Sequence, residues 1–304
     1  MTKRDIFSGV HAVLYALFSA DESLDHAAMT QQVHYCVASR CHGITVLGLA
    51  TEVLKLTLAE RKALIATVNQ ANAGRLPFSV TIAGNSVAEQ AELAIFAAQN
   101  GADWLILQPP MVGSYGAAVY LEFFERVARQ VDIPVAVQNA PQYLGRALSG
   151  EDIALLRSRC ANLAAVKSED AALSVERIIH AAGDGLAILG GRGGIEMIDN
   201  LRLGCQGFVL APDIAPIAAK IFDLWHAGAT DEAERLYGAA LPAINFVMQS
   251  LEHLITYGKR IFAQQAGLTV HDRAPCLGVT AFGTEAANRY AAQLDAARHA
   301  QAQP

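Results

Sequence analysis

The chain has 304 residues, 53% of them hydrophobic and 17% charged, a composition that supports a large buried core and excludes a disordered chain. Its formal net charge is −6 and its 23 Lys and Arg residues are scattered, so there is no basic field to draw in phosphate backbones and nucleic acid is not an expected partner. Five cysteines, Cys36, Cys41, Cys160, Cys205 and Cys276, form an odd set without CxxC spacing, which points away from a disulfide framework or a zinc site and toward a reducing cytoplasm.

At the start, Lys3 and Arg4 precede an apolar run from Val10 to Ala20 with the outline of a short signal peptide. Asp5, Gly9 and His11 interrupt it, and the run falls short of the ~20 apolar residues that span a bilayer. A buried first strand over 10–18 is expected instead, and no membrane partner. Short Val, Ile and Leu segments then recur at 43–47, 78–82, 104–108, 135–138, 164–167, 187–189 and 207–210, which makes eight strands. Between them lie helical candidates such as 58–73, 88–100, 118–130 and 150–159, with apolar residues at three- and four-residue spacing. The alternation is that of βα units feeding a parallel sheet, and eight near-equal units suit closure into a (β/α)8 barrel. A doubly wound open sheet is the rival, but no GxGxxG turn follows the first strand. After the eighth strand, 214–227, 231–240, 244–266 and 285–297 all read as helix. No linker or low-complexity tract separates the parts, so 1–304 is expected to be a single domain, with the barrel over 1–227 and a helical extension over 228–304.

In such a barrel the reacting groups sit at the C-terminal ends of the strands. Near the first strand, Tyr15 could offer a hydroxyl, although a packed aromatic is the plainer reading, and His11 shares its parity. Glu52, beyond the second strand, could serve as an acid or base or could cap the next helix. The sixth strand delivers Lys167 directly out of an apolar run. Lysines are seldom buried without a partner or a task, and desolvation favours the neutral, nucleophilic amine. The plainer alternative is that Lys167 ends the strand and pairs with Glu169 or Asp170; Glu169 itself could lie on the pocket wall or pair outside it. The glycines of Gly190-Gly191-Arg192-Gly193-Gly194 could bring backbone close to an anion or simply make a turn. His180, His226 and His253 fall on helices away from strand ends, where solvent accounts for them.

Several of these segments, in this order, resemble the dihydrodipicolinate synthase and N-acetylneuraminate lyase family of class I aldolases over nearly the whole chain. The resemblance is carried by Gly48-x-x-x-Glu52, Leu56-Thr57-x-x-Glu60-Arg61, Asn139-x-Pro141, Val166-Lys167, Gly190-Gly191 and Leu203-Gly204-x-x-Gly207. It implies that Lys167 forms an imine with a small-molecule 2-oxo acid, that the iminium acts as an electron sink, and that no metal or other cofactor is required. It also implies a homodimer or homotetramer and substrate contacts from Leu49, Ala50, Thr51, Glu52, Asn139, Tyr143, Gly190 and Gly191.

Departures from the family pattern narrow the reading. The family turn Gly-Thr-Thr-Gly-Glu, or Gly-Ser-Thr-Gly-Glu, is here Gly48-Leu49-Ala50-Thr51-Glu52, so two hydroxyls are replaced while backbone amides remain for a carboxylate. Gln138 stands where the family has its proton-carrying tyrosine, Val112 near a second tyrosine, and Tyr143 in the place of an arginine. An amide cannot shuttle protons, but it can both donate and accept hydrogen bonds. The run Val137-Gln138-Asn139-Ala140-Pro141, together with Leu241-Pro242-Ala243-Ile244-Asn245-Phe246, is similar to the branch of 2-keto-3-deoxy sugar-acid enzymes, in which arabonate dehydratases carry Val-Gln-Asp-Ala-Pro. A lyase of that branch, dehydratase or aldolase, with Lys167 and Gln138 in its catalytic site is therefore expected. The alternatives are a pyruvate aldolase like dihydrodipicolinate synthase and a 2-oxo acid binding protein without turnover.

Overall fold

The computed structural model describes residues 5–300, and within it eight parallel strands close into a barrel in chain order. They are β1 (Gly9–Val13), β2 (Gly43–Val46), β3 (Phe78–Ile82), β4 (Trp104–Leu107), β5 (Val135–Asn139), β6 (Leu163–Ser168), β7 (Ala187–Gly190) and β8 (Gly207–Leu210). Pairing of β8 with β1, from Gly9 opposite Gly207 to Ala12 opposite Leu210, completes the closure and leaves no free edge. The outer ring is α1 (His26–Ala38), α2 (Leu58–Asn72), α3 (Val87–Gln99), α4 (Ala117–Ala128), the short α5 (Pro141–Leu144), α6 (Gly150–Arg159), α7 (Ala172–Ala182), α8 (Met197–Arg202) and α9 (Ala215–His226). Helices outside and packed side chains inside bury the strands on both faces, hence their continuous apolar runs. Helix starts are set locally: Thr57 with Glu60 and Ser149 with Asp152 form reciprocal capping boxes on α2 and α6.

The first strand is shorter than its apolar run. After Val13 the chain leaves the ladder, because the Gln32 side chain of α1 accepts from the Tyr15 amide at 2.9 Å and donates to the Tyr15 carbonyl at 2.9 Å. Both polar groups of a buried backbone are thereby satisfied without a strand. Leu14 to Phe18 stay buried as the floor under the tail.

The tail also divides differently from its sequence pattern. Leu241-Pro242 reads as a break, yet α10 runs unbroken over Thr230–Val247 with Pro242 inside it. The proline ring clashes with the carbonyl four residues earlier, and that residue is Gly238, which has open space around it. The break falls instead at Met248–Ser250, where the Ser250 hydroxyl caps α11 (Leu251–His253). A π-helical turn, Leu254–Gly258, leads into α12 (Lys259–Ala266), and α13 (Ala281–His299) closes the chain. Leu236, Val247 and Leu294 of the tail belong to the same buried apolar cluster as the barrel strands. All five cysteines are free, and no helix among the described residues is long and apolar enough to cross a membrane.

Candidate active site

Strand register brings the first two groups together. Gln138 of β5 pairs with Lys167 of β6 in the parallel ladder, so their side chains leave the sheet on the same side. Glu169, two residues on, shares the parity of Lys167. All three are buried at the C-terminal rim of the barrel. The Lys167 ammonium lies 3.1 Å from Glu169 Oε2, and the Gln138 amide donates to the same oxygen. Gln138 Oε1 accepts in turn from Gln108 Nε2 at 2.8 Å, and the backbone carbonyl of Gln108 is held by Gln90 at 2.9 Å. A chain of amides behind the site thus aims one carboxylate at one lysine. Gly191 permits this, since a Cβ there would stand 2.4 Å from the Glu169 Cγ.

Lys167 and Glu169 open onto a cavity of about 40 Å³. Tyr143 and Arg192 also supply polar atoms to its lining, and Leu49, Met248, Leu251 and Leu254 supply apolar ones. So small a space excludes bulk water, and the charges in it interact more strongly than they would in solvent. Burial, with the charge of Glu169 adding to it, pushes the Tyr143 phenol up to about 12, while Arg192 pulls the other way. Tyr143 is therefore a neutral hydrogen-bonding group near pH 7. A groove of about 490 Å³ shares Leu49 and Leu251 with this cavity.

The turn after β2 delivers Leu49 and Ala50 to the cavity wall. Leu47 and Glu52 adopt left-handed backbone at its two ends, φ 64° and 55°. The amides of Thr51 and Glu52 donate to the carbonyls of Gly48 and Leu49. The amides of Gly48, Leu49 and Ala50 are left without an acceptor among the described residues. The Thr51 hydroxyl is spent on the Leu14 carbonyl at 2.5 Å, locking the turn to the end of β1. Glu52 stands at the N-cap of the 3-10 turn Val53–Lys55 without a side-chain capping bond and does not line the Lys167 cavity: its carboxylate is held between Lys55, at 2.5 Å, and the fully buried Lys259 of α12. Both of its carboxylate oxygens are thus engaged by lysines.

Other expected contacts lie elsewhere. Asn139 points away from the Lys167 cavity; its amide oxygen accepts from the Leu148 amide at 2.8 Å and its Nδ2 donates to the Leu148 carbonyl at 3.1 Å. The space beside Gly190 is filled by the Phe208 ring, so this glycine serves packing. Gln138 reaches the cavity only through Glu169. Tyr15 is wholly buried and donates to Asp213 Oδ1 at 2.8 Å, on the tail side of the barrel rim. Two residues outside the expected set emerge: Gln108, whose place at the end of β4 repeats that of Gln138 at the end of β5, and Arg192, the lone side chain in a run of glycines.

The chain matches the family model described as the dihydrodipicolinate synthetase family over residues 6–295. Among curated proteins it is 30% identical to an L-2-keto-3-deoxyarabonate dehydratase of Azospirillum brasilense, over 78% of each chain. It is 24% identical to a 4-hydroxy-tetrahydrodipicolinate synthase of Magnetococcus marinus, over 90% of this chain and 89% of that one. Among solved structures, a catalytic lysine mutant of the Ruminococcus gnavus sialic acid aldolase superposes with a TM-score of 0.89 at 19% identity, covering 98% of both chains.

Proposed function

This chain belongs to the dihydrodipicolinate synthetase family, and we propose that within it the protein is a Schiff-base lyase acting on a 2-oxo-3-deoxy sugar acid, as a dehydratase. The observation that carries the reading is the buried Lys167 amine 3.1 Å from the Glu169 carboxylate at the barrel rim. The likeness to the arabonate dehydratase supports the substrate class.

In the proposed sequence, the Lys167 amine attacks C2 of the 2-oxo acid, and the carbonyl oxygen leaves as water to give an iminium. The amides of Leu49 and Ala50 bind the substrate carboxylate. Glu169, fixed by Gln138, takes a proton from C3; the enamine pair then expels the C4 hydroxyl, which leaves as water with the proton Glu169 returns. Hydrolysis of the imine regenerates the amine. Glu169 thus fills the place left by the missing tyrosine relay, with Gln138 as a positioning residue. We propose further that the imine is the only covalent cofactor-like species needed and that the protein acts as a homo-oligomer.

Borohydride reduction in the presence of pyruvate tests the first step. The wild-type protein should gain the mass of a reduced pyruvate adduct on Lys167, and Lys167→Ala should gain none. An adduct persisting in the alanine variant, or absent from the wild type, would overturn the assignment. Condensation of pyruvate with aspartate semialdehyde at a substantial rate would instead favour the synthase reading.

A further inference from the structure

We infer that Gln108, at the end of β4, is a positioning residue for the proton-transfer step, supplying the N–H that keeps the Gln138 amide turned toward Glu169. The inference rests on the reading of Glu169 as the base that takes the C3 proton, and it concerns what holds that base.

Register puts the parts in one layer. Leu107 of β4 stands opposite Val137 of β5, so Gln108 and Gln138, one residue on, end their strands side by side, and Gln138 in turn stands opposite Lys167 of β6. The Gln108 backbone is pinned from both sides: its amide donates to the Ile82 carbonyl of β3 at 3.0 Å, and its carbonyl accepts from Gln90 Nε2 of α3 at 2.9 Å. The same Gln90 nitrogen donates to the Gly84 carbonyl at 3.0 Å, which engages both of its hydrogens. Pro109 and Pro110 follow at once, and a residue before proline has little backbone freedom. The Gln108 side chain thus leaves a fixed backbone in a buried place.

An amide has a donor end and an acceptor end, whereas a carboxylate only accepts. Gln138 turns its Nε2 to Glu169 and leaves its carbonyl oxygen toward β4, where Gln108 Nε2 satisfies it at 2.8 Å. Without that donor the carbonyl of a buried side chain would go unpaired, and the amide would lose what fixes its direction. Both bonds to Glu169, from Gln138 and from Lys167 at 3.1 Å, fall on Oε2, so Oε1 is left without a partner among the described residues and is the oxygen that takes the proton. Once Lys167 is drawn into the imine and then the neutral enamine, its ammonium is gone. The Gln138 N–H, which does not titrate, is the donor that stays with Glu169 through the cycle.

Deuterium exchange at C3 of pyruvate reads this step without a sugar acid. In D2O the iminium gives a C3 proton to Glu169, that proton exchanges with solvent, and the enamine takes back a deuteron; borohydride trapping reads imine formation by itself. Gln108→Met keeps the length and removes the donor, so exchange should fall roughly tenfold while the adduct yield stays within about twofold. In Gln108→Glu both neighbours of Gln138 only accept, so the acid side of the exchange profile should move up by about one pH unit, with the added charge acting in the same sense. Lys167, Tyr143 and Arg192, the other titratable groups of the cavity, are unchanged in every form. Gln108→Glu also serves if Gln108→Met does not fold. Absence of any pyruvate adduct in the wild type defeats the imine reading, and adduct without exchange defeats the reading of Glu169 as the base; either takes this inference with it. Wild-type adduct and exchange, with variants that keep the wild-type rate and profile or lose adduct and exchange by the same factor, overturn this inference alone.

Discussion

Glu169 carries the proton in the proposed reaction, so the step it governs should separate from imine formation when it is changed. Glu169→Gln keeps the shape and a hydrogen bond to Gln138 but cannot take a proton, and turnover should fall roughly 10²–10⁴-fold while the pyruvate adduct still forms. Loss of the adduct in this variant would show that Glu169 only tunes the lysine. Two other buried groups set the pH response of folding. Burial raises the Asp213 carboxyl from 3.8 to about 6, so the folded state binds that proton more tightly than the unfolded one. This costs roughly 3 kcal/mol of stability above pH 6, a cost relieved as pH falls from about 6 to below 4. His11, buried edge-on to Trp104, is lowered to about 3 by burial and then by the charge of His42, and works in the opposite sense, losing stability as pH falls below 6.5. In wild-type protein the two overlap and partly cancel. Asp213→Asn removes the first, so its stability relative to wild type should drop by roughly 3 kcal/mol between pH 7 and pH 4, read by urea unfolding at each pH. A pH-independent difference would contradict the assignment.

At the level of elements, the loop from α5 into α6 is fastened to the end of β5 by the two hydrogen bonds between Asn139 and the Leu148 backbone. Asn139→Ala leaves both backbone groups unpartnered in a buried place and should destabilise the fold by about 1–3 kcal/mol. Because Asn139 does not reach the Lys167 cavity, the Michaelis constant should change less than threefold. A large rise in that constant with unaltered stability would restore Asn139 to the substrate site. The π-helical turn Leu254–Gly258 has a comparable linking role, with Leu254 on the cavity wall and Gly258 lying against Tyr15 and Asp213, where a Cβ would stand 2.4 Å from the Tyr15 hydroxyl.

On the scale of the whole molecule, apolar side chains are exposed along the segment from β4 into the first turn of α4, where Met111, Val112, Tyr115 and Val119 are 37–51% exposed. A cluster of this kind is costly to leave in water and is where the proposed homo-oligomer would bury surface. Light scattering at micromolar concentration should therefore give a dimer or a larger oligomer, and Val119→Glu should shift the mass toward the monomer. A wild-type monomer would refute the expectation.

Eight short apolar runs at near-equal spacing were enough to determine the barrel, because a strand buried on both faces needs a continuous apolar stretch and each unit repeats that demand. The lysine stood out for a related reason: a cation closing such a run calls for a partner or a task, and the structure supplies the partner, Glu169, at 3.1 Å. Parity along β6 already put Glu169 on the side of Lys167, but whether its carboxylate turned inward depended on Gln138 across the ladder and on the missing side chain of Gly191, neither visible in β6 itself. Glu52 and Asn139 carried the chemistry of site residues in sequence, yet Lys259, 207 residues from Glu52, and Leu148 claimed their polar atoms. A side chain's chemical type is written in the sequence, whereas the partner that occupies it is chosen by packing between distant segments, and only the tertiary structure made that choice.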